Sequence, residues 1–350
     1  MTEAVASPWI AAMPKAEVHL HLEGCLEPAV VAEAARRAGT TRPRRVSNLA
    51  ELLAYLDWSC ALIDRAEDLT ATAHAAARRA GASGVRHIDI IVNPTHWPHF
   101  AGRLDTLVGA LDDGFAAAES EGLATAALCL SLKRTQTRAE ADALVDWMLE
   151  RRHPRVAALS IDGDETKGSH TERFVDAFAR ARRGGLRRCA HAGESSGPGG
   201  VREAIELLGA ERVDHGVRVV EDDPLVTELV DRRVPLDVCP TSNVVLGVVP
   251  DLPRHPVDLL LRRGVRLSLN TDDPLLFDVD VAGEYTRCAA AFAWGAGELT
   301  AVARTSIESC FADEDRRHQM LAELDAFVAA EPAGAGDGPG PGEARTKRGA

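Results

Sequence analysis

The first strand-like segment of the chain carries two histidines two residues apart. Residues 17–23 read EVHLHLE. Because successive side chains of a β-strand point to opposite faces, His19 and His21 project to one side while Leu20 and its neighbours pack against the other. Two imidazoles on one face can bind one metal ion. A single pair of this kind is more often structural, so its interpretation depends on the rest of the chain.

Three later segments end in polar side chains that could join this pair. Residues 189–194 read CAHAGE, residues 213–216 read VDHG and residues 267–273 read LSLNTDD. The alternation of polar and apolar residues places Asp272 inward and Asp273 at the exit of its strand. If these strands end at one rim, four side chains converge in a nitrogen and oxygen set suited to zinc or a similar divalent ion. They are His19, His21, His191 and Asp272.

The elements that would position these residues alternate between strand and helix. Eight β-rich segments, each followed by a stretch of helical periodicity, predict a (β/α)8 TIM barrel, whose active sites lie at the carboxyl ends of the strands. A doubly wound open sheet is less favoured, because no G-x-G-x-x-G follows the first strand. The predicted strands cover residues 16–22, 85–92, 125–132, 155–163, 186–193, 212–216, 234–240 and 265–273.

Two regions fall outside this repeat. Residues 40–84 follow the first β/α unit and have helical content, so we interpret them as an inserted helical lid. Residues 331–350 are rich in Gly, Pro, Ala and charge, which predicts a disordered tail. We therefore expect one metal-dependent barrel domain over residues 1–330.

Composition limits the classes of partner. The net charge of −13 over 350 residues disfavours binding to nucleic-acid phosphates or anionic membranes. The seven cysteines form no C-x-x-C pair, and no segment reaches the apolar length of a membrane span or a secretory signal. These features predict a cytoplasmic protein with a small-molecule substrate, and they assign no oligomeric state.

The motifs also resemble one known family. The segments PKAEVHLHLEG, LSIDGDE, HAGE, RVDHG, VCPTSN and SLNTDDP occur in the order found in the adenosine deaminase family, which includes adenine and aminodeoxyfutalosine deaminases. The resemblance runs from about Pro14 to Asp313. It implies a (β/α)8 barrel with one zinc ion per chain and hydrolytic removal of the 6-amino group of a purine, with release of ammonia.

The resemblance also implies a role for each site residue. Zinc would activate a water molecule that attacks the ring, and Glu194 would protonate the neighbouring ring nitrogen as general acid. His215 would orient the attacking oxygen as base or electrostatic stabiliser. The implied catalytic residues are Glu194, His215 and Asp273, of which Asp273 would hydrogen-bond the attacking water or the imidazole edge of the purine. The implied metal ligands are His19, His21, His191 and Asp272, and the implied substrate contacts are His21, Glu23, Gly163 and Asp273.

The features that bear on the substrate point in two directions. Glu23 stands where many adenosine deaminases have Asp, and Asp214 stands where they usually have Gly, as in the adenine and aminodeoxyfutalosine branches. Residues 270–277, NTDDPLLF, resemble the nucleoside branch. We expect adenosine or a related 6-aminopurine nucleoside, giving an inosine-type product, with adenine or aminodeoxyfutalosine as the alternative. AMP is disfavoured, because no cluster of Arg or Lys indicates a phosphate site.

Two other functions remain as alternatives. A binuclear amidohydrolase that opens cyclic amides would carry a metal-bridging lysine on strand four, but residues 155–163 contain no lysine and Lys167 lies beyond them. A catalytically inactive binding barrel would be expected to lack some of the ligands and proton-transfer residues, whereas all are present. Cys239 lacks the P-C-x-x-C context of cytidine-type deaminases and is predicted to be a core residue.

Overall fold

The computed structural model describes residues 7–41, 49–166 and 171–330. Within them, eight parallel strands pair in chain order. A bridge between Leu20 and Asp272 joins the last segment to the first and closes the sheet, which confirms the predicted (β/α)8 TIM barrel. The strands are β1 (Lys15–His21), β2 (Val85–Val92), β3 (Thr125–Lys133), β4 (Val156–Asp162), β5 (Arg187–Ala192), β6 (Arg212–His215), β7 (Leu236–Val238) and β8 (Leu267–Leu269).

Helices surround the strands, and their ends carry recognisable capping residues. Helix α2 begins at a proline and stops at Gly39, whose φ of 65° is left-handed. Helix α6 begins with a capping box between Thr137 and Glu140. The helices are α1 (Pro8–Ala12), α2 (Pro28–Ala38), α3 (Leu49–Cys60), α4 (Ala66–Ala82), α5 (Leu104–Ser120), α6 (Arg138–Arg151), α7 (Val175–Arg183), α8 (Pro198–Glu206), α9 (Asp223–Arg232), α10 (Pro240–Val245), α11 (Val257–Arg262), α12 (Pro274–Phe277), α13 (Val281–Phe292), α14 (Ala296–Ser309) and α15 (Glu314–Ala329).

The predicted strands match the observed ones closely except at the last two, which are shorter than expected. Strand β8 ends at Leu269 because the side chain of the next residue, Asn270, and not its backbone, forms the hydrogen bonds to β1. The Asn270 carboxamide oxygen accepts the backbone N–H groups of Val18 and His19, at 2.8 and 3.2 Å. Asp272 then adopts a left-handed φ of 64°. The inward direction of Asp272 therefore comes from a turn and not from the strand alternation that predicted it.

The region interpreted as a lid contains two helices with different surroundings. Helix α4 packs against β2 and α5, so it belongs to the outer helical layer of the barrel. Helix α3 lies near the barrel mouth, where Leu56 clusters with Phe277 and Val279. Residues 42–48 lie outside the described part, as do Lys167 and the predicted tail at 331–350. The boundaries of a lid and its motion stay predictions.

The floor of the barrel is closed by an ionic and aromatic cluster. The fully buried Arg212 guanidinium contacts Asp89 at 2.6 Å and Asp237 at 2.7 Å. Phe311 stacks against the same guanidinium, with 3.8 Å between its ring centroid and Cζ of Arg212. Burying such charges costs desolvation free energy, but removing one partner costs more because the other charge is then buried without compensation.

No helix in the described residues is long and apolar enough to cross a membrane. All seven cysteines lie in the described part, are buried and carry free thiols.

Candidate active site

Four side chains from three parts of the barrel meet at the carboxyl ends of the strands. His19 and His21 come from β1, His191 from β5, and Asp272 from the turn after β8. One donor atom from each lies within 4.8 Å of all the others. Asp272 Oδ1 is 3.2 Å from His19 Nε2 and 3.3 Å from His21 Nε2, and His21 Nε2 is 3.0 Å from His191 Nε2. The spacing predicted from sequence thus brings the four candidate ligands to one point.

The electrostatics of this cluster favour a bound cation. Burial lowers the pKa of His19 to about 3, so its ring is neutral and keeps a lone pair. Burial also acts against a charge on His191, but the Asp214 carboxylate outweighs it and raises the His191 pKa to about 9. Nδ1 of His19 is buried without a hydrogen-bond partner among the described residues, and its Nε2 lies 3.2 Å from the Asp272 carboxylate. With a pKa of about 9, His191 carries a proton at neutral pH in the metal-free protein, and a bound metal would displace that proton. Three imidazoles and a carboxylate are the donor set of a divalent metal site.

Neighbouring polar groups orient two of these donors. Asp214 Oδ2 lies 3.1 Å from His191 Nδ1, which directs Nε2 of the ring toward the cluster. The Ser242 hydroxyl donates to Oδ2 of Asp272 at 2.7 Å, leaving Oδ1 to face the histidines. Such outer contacts fix the tautomer and orientation of metal ligands. The contact with His191 therefore explains why an aspartate, and not the usual glycine, precedes His215.

Two candidate proton-transfer groups lie beside the cluster. Glu194 follows Gly193, which bends the chain at a φ of 71°, and the Glu165 carboxylate accepts the backbone N–H of both residues. His215 ends β6 with a left-handed φ of 64°. Its Nε2 lies 3.7 Å from Oε1 of Glu194. Burial raises the pKa of Glu194, which favours a protonated carboxyl group that can act as an acid.

These residues line a pocket of about 250 Å³ at the barrel mouth. Gly163 and Asp273 line it as well, and Gly163 has a φ of 93° that favours glycine at this position. The space around Gly163 is open, because an added Cβ would meet its nearest neighbour only at 3.7 Å. The backbone conformation favours glycine there, and the expected contact of its backbone N–H with a substrate stays a prediction.

One wall of the pocket carries two carboxylates. Glu23 lies in a short 3₁₀ turn after β1 and not on the strand itself. Its Oε1 is 3.3 Å from Nδ1 of His96, and its buried Oε2 lies 3.9 Å from Nδ1 of His21 and has no hydrogen bond among the described residues. Asp162 accepts from the Asn93 amide at 2.6 Å through one oxygen, and its other oxygen is likewise unpaired. This wall is therefore suited to a ligand with N–H or O–H donors.

The sequence motifs and the barrel-mouth geometry agree with one family profile. The profile described as "Adenosine deaminase" matches residues 14–327. The chain belongs to the adenosine deaminase family.

Individual members support this assignment over nearly the whole length. An adenine deaminase from Sphingopyxis alaskensis is 34% identical over 330 residues, covering 91% of this chain and 96% of that protein. The crystal structure of an adenine deaminase from Arthrobacter aurescens has 31% identity and a TM-score of 0.85, covering 91% of this chain and 100% of that one. A zinc-bound amidohydrolase from Burkholderia ambifaria has 29% identity and a TM-score of 0.83, covering 94% and 95%.

A second group of potential ligands overlaps the first in this member of the deaminase family. Donor atoms of His19, His215 and Cys239 also lie within 4.8 Å of one another. Burial raises the pKa of the Cys239 thiol well above its usual value, so the sulfur stays protonated and is a poor ligand. Cys239 is fully buried, as expected for a core residue.

Four further residues around the candidate active site have no role that follows from the sequence alone. His96, His255, Asp162 and Asn243 each contact Glu23, Glu194 or His215 directly or through one neighbour. Neither His96 nor His255 has a partner at ligand spacing in the sequence, so the spacing gives no signal for either histidine. For Asn243, the VCPTSN motif was the available signal.

Proposed function

We propose that this protein is a hydrolytic 6-aminopurine deaminase whose substrate is adenine. Water and adenine would give hypoxanthine and ammonia. The observation that supports this proposal most directly is that Glu194 and three of the candidate ligands, His21, His191 and Asp272, line one compact pocket together with Glu23, whose Oε2 has no hydrogen bond among the described residues. Relatives named adenine deaminase at about one-third identity support the same substrate. This proposal replaces the nucleoside expected from the NTDDPLLF segment.

We assign the metal site to one zinc ion per chain, held by the side chains of His19, His21, His191 and Asp272. The donor set fits zinc, and the Burkholderia structure contains this metal. A divalent ion held there would lower the pKa of a coordinated water to about 7 and so supply a nucleophile at neutral pH.

The chain's own residues would control the proton movements and the position of the ring. Glu194 gives its proton to ring nitrogen N1, which prepares C6 for attack by water oxygen. The water oxygen forms a bond to C6, one of its protons returns to the Glu194 carboxylate, and the other passes to the amino nitrogen. The bond from C6 to that nitrogen then breaks, so that ammonia leaves and a carbonyl remains at C6. Gly163 donates its backbone N–H to N3, and Asp273 faces the imidazole part of the purine. His21 lies at the edge of the ring.

Free adenine differs from adenosine by an N–H on its imidazole ring, where the nucleoside carries ribose. A buried carboxylate oxygen without a donor costs free energy, and an N–H from the ligand would remove that cost. Glu23 Oε2 and Asp162 Oδ2 are two such oxygens in the pocket region. Both an N–H of the free base and a ribose hydroxyl could serve as that donor, so the choice of the free base rests on the relatives named adenine deaminase.

The test is an ammonia-release panel with purified, zinc-loaded protein. The substrates are adenine, adenosine, 2′-deoxyadenosine, aminodeoxyfutalosine and AMP. We expect the highest kcat/KM for adenine. Higher kcat/KM for a nucleoside would overturn the substrate proposal, and no ammonia from any compound would overturn purine deamination itself.

A further inference from the structure

A chain of hydrogen bonds runs from helix α11 to the two candidate proton-transfer residues. His255 Nε2 lies 3.1 Å from the carboxamide oxygen of Asn243. The carboxamide nitrogen of Asn243 lies 3.3 Å from Nδ1 of His215 and 3.4 Å from Oε1 of Glu194. Asn243 is fully buried and His255 is 3% exposed. A buried network of this kind is rigid when every member is paired.

The direction of each bond follows from one fixed donor at the start of the chain. The backbone N–H of Val257 donates to Nδ1 of His255 at 3.1 Å, so this nitrogen carries no proton. Burial lowers the pKa of His255 to about 3, which keeps the ring neutral with its single proton on Nε2. Nε2 of His255 therefore donates to the Asn243 oxygen, which fixes the orientation of the Asn243 carboxamide.

The NH2 group of the oriented Asn243 side chain carries two protons, and each of them has one acceptor nearby. One proton points to Nδ1 of His215 and the other to Oε1 of Glu194. His215 Nδ1 is thus an acceptor, and a neutral His215 carries its proton on Nε2, the nitrogen that faces Glu194. At Glu194, Oε1 is occupied and Oε2 has no hydrogen bond within the described part of the chain, so Oε2 is the oxygen free to carry the acidic proton.

We propose that Asn243 and His255 are positioning residues that fix the tautomer of His215 and select the proton-carrying oxygen of Glu194. This inference rests on the proposed deaminase function. It gives His215 the role of a hydrogen-bond donor at its site-facing nitrogen, because a protonated Nε2 cannot accept a proton. Of the two roles considered for His215, base and electrostatic stabiliser, the network supports the second.

Three variants test the positioning role. Asn243→Asp keeps the shape but replaces both donors by an acceptor, so Nδ1 of His215 must become protonated and Glu194 faces a second carboxylate. His255→Gln retains an N–H near the position of Nε2, whereas His255→Leu removes it. We expect kcat to fall about 10- to 100-fold in Asn243→Asp and His255→Leu, with a smaller change in KM and with zinc retained. His255→Gln should recover most of the kcat lost in His255→Leu.

A spectroscopic measurement separates this inference from the proposed function. In zinc-loaded wild-type protein labelled with ¹⁵N-histidine, with His215 assigned through His215→Asn, we expect an unprotonated Nδ1 and a protonated Nε2. A protonated Nδ1 in the wild type would overturn the inference whether or not any purine is deaminated. Equal kcat in His255→Gln and His255→Leu would do the same, and this pair remains decisive if Asn243→Asp does not fold.

Discussion

The Nε2 atoms of His21 and His191 lie 3.0 Å apart, with each imidazole oriented toward the other. Because the pKa of His191 is raised to about 9, its Nε2 carries a proton at neutral pH in the metal-free protein and can donate to Nε2 of His21; without that proton the two lone pairs would repel unless a metal ion lies between them. Because Asp214 occupies the opposite nitrogen of His191, the ring is held in the orientation that creates this close approach. The protein therefore holds the two rings at a distance that requires a positive charge, either a proton or a metal ion, between their Nε2 atoms.

Loss of the Asp214 contact should weaken metal binding. In Asp214→Asn the carboxamide no longer favours the His191 orientation through a charged acceptor, and such outer contacts are worth about 10- to 100-fold in metal affinity. Chelator competition with zinc would measure the change. The matched control is His74→Ala, which removes a histidine that pairs with Glu121 at the surface. Equal zinc affinity in Asp214→Asn and wild type would contradict the assigned contact.

Removal of the acidic proton at Glu194 should separate catalysis from metal binding. Glu194→Gln has nearly the same shape but no carboxyl proton, so we expect kcat to fall at least about 100-fold, as for a general acid. Metal content should stay at the wild-type ratio in the same preparation. Glu206→Gln, an exposed change on the neighbouring helix α8, is the control. An unchanged kcat in Glu194→Gln would remove this residue from the mechanism.

The part of the site that lies on regular strands was predictable from sequence. His19 and His21 sit on β1, and His191 sits on β5, where alternation of side chains determines the face. The barrel then brings the ends of those strands together, so the convergence of ligands followed from the count of β/α units.

The remaining site residues depend on turns that alternation does not describe. Asp272 and His215 reach the site through left-handed backbone conformations, and Glu23 through a 3₁₀ turn. The contacts of Asn243 and His255 depend on how two segments 12 residues apart pack side by side. Hydrophobic periodicity carries no information on such packing, which is why these residues were found only in the structure.

Gly24 should be irreplaceable for a steric reason that involves Asp273. An added Cβ at Gly24 would lie 2.3 Å from Oδ1 and 2.4 Å from Cα of Asp273, so the backbone beside the metal site would have to move. We expect Gly24→Ala to lower kcat/KM by about tenfold or more. Gly109→Ala on α5 meets no atom within 4 Å and is the control, with a gain of about 0.5–1 kcal/mol in helix stability. Wild-type activity in Gly24→Ala would show that Asp273 can shift freely.

Glu284 should make stability depend on pH in the opposite sense from a salt-bridged carboxylate. Burial raises its pKa in the folded protein from 4.5 to about 7. Between these values the folded state binds more protons than the unfolded state, so the contribution of Glu284 falls as pH rises through this window and is lost above pH 7. The difference between the two pKa values corresponds to roughly 3 kcal/mol.

Urea unfolding of wild type and Glu284→Gln at a series of pH values tests this contribution. The glutamine oxygen can still accept the Thr241 N–H that Oε1 accepts at 3.2 Å, so the main structural contact is kept. Because glutamine does not titrate, we expect the variant to gain stability relative to wild type by roughly 3 kcal/mol between pH 4.5 and 7.5. The exposed substitution Glu150→Gln should show no such trend. A pH-independent difference for Glu284→Gln would mean that Glu284 titrates as an ordinary carboxyl group.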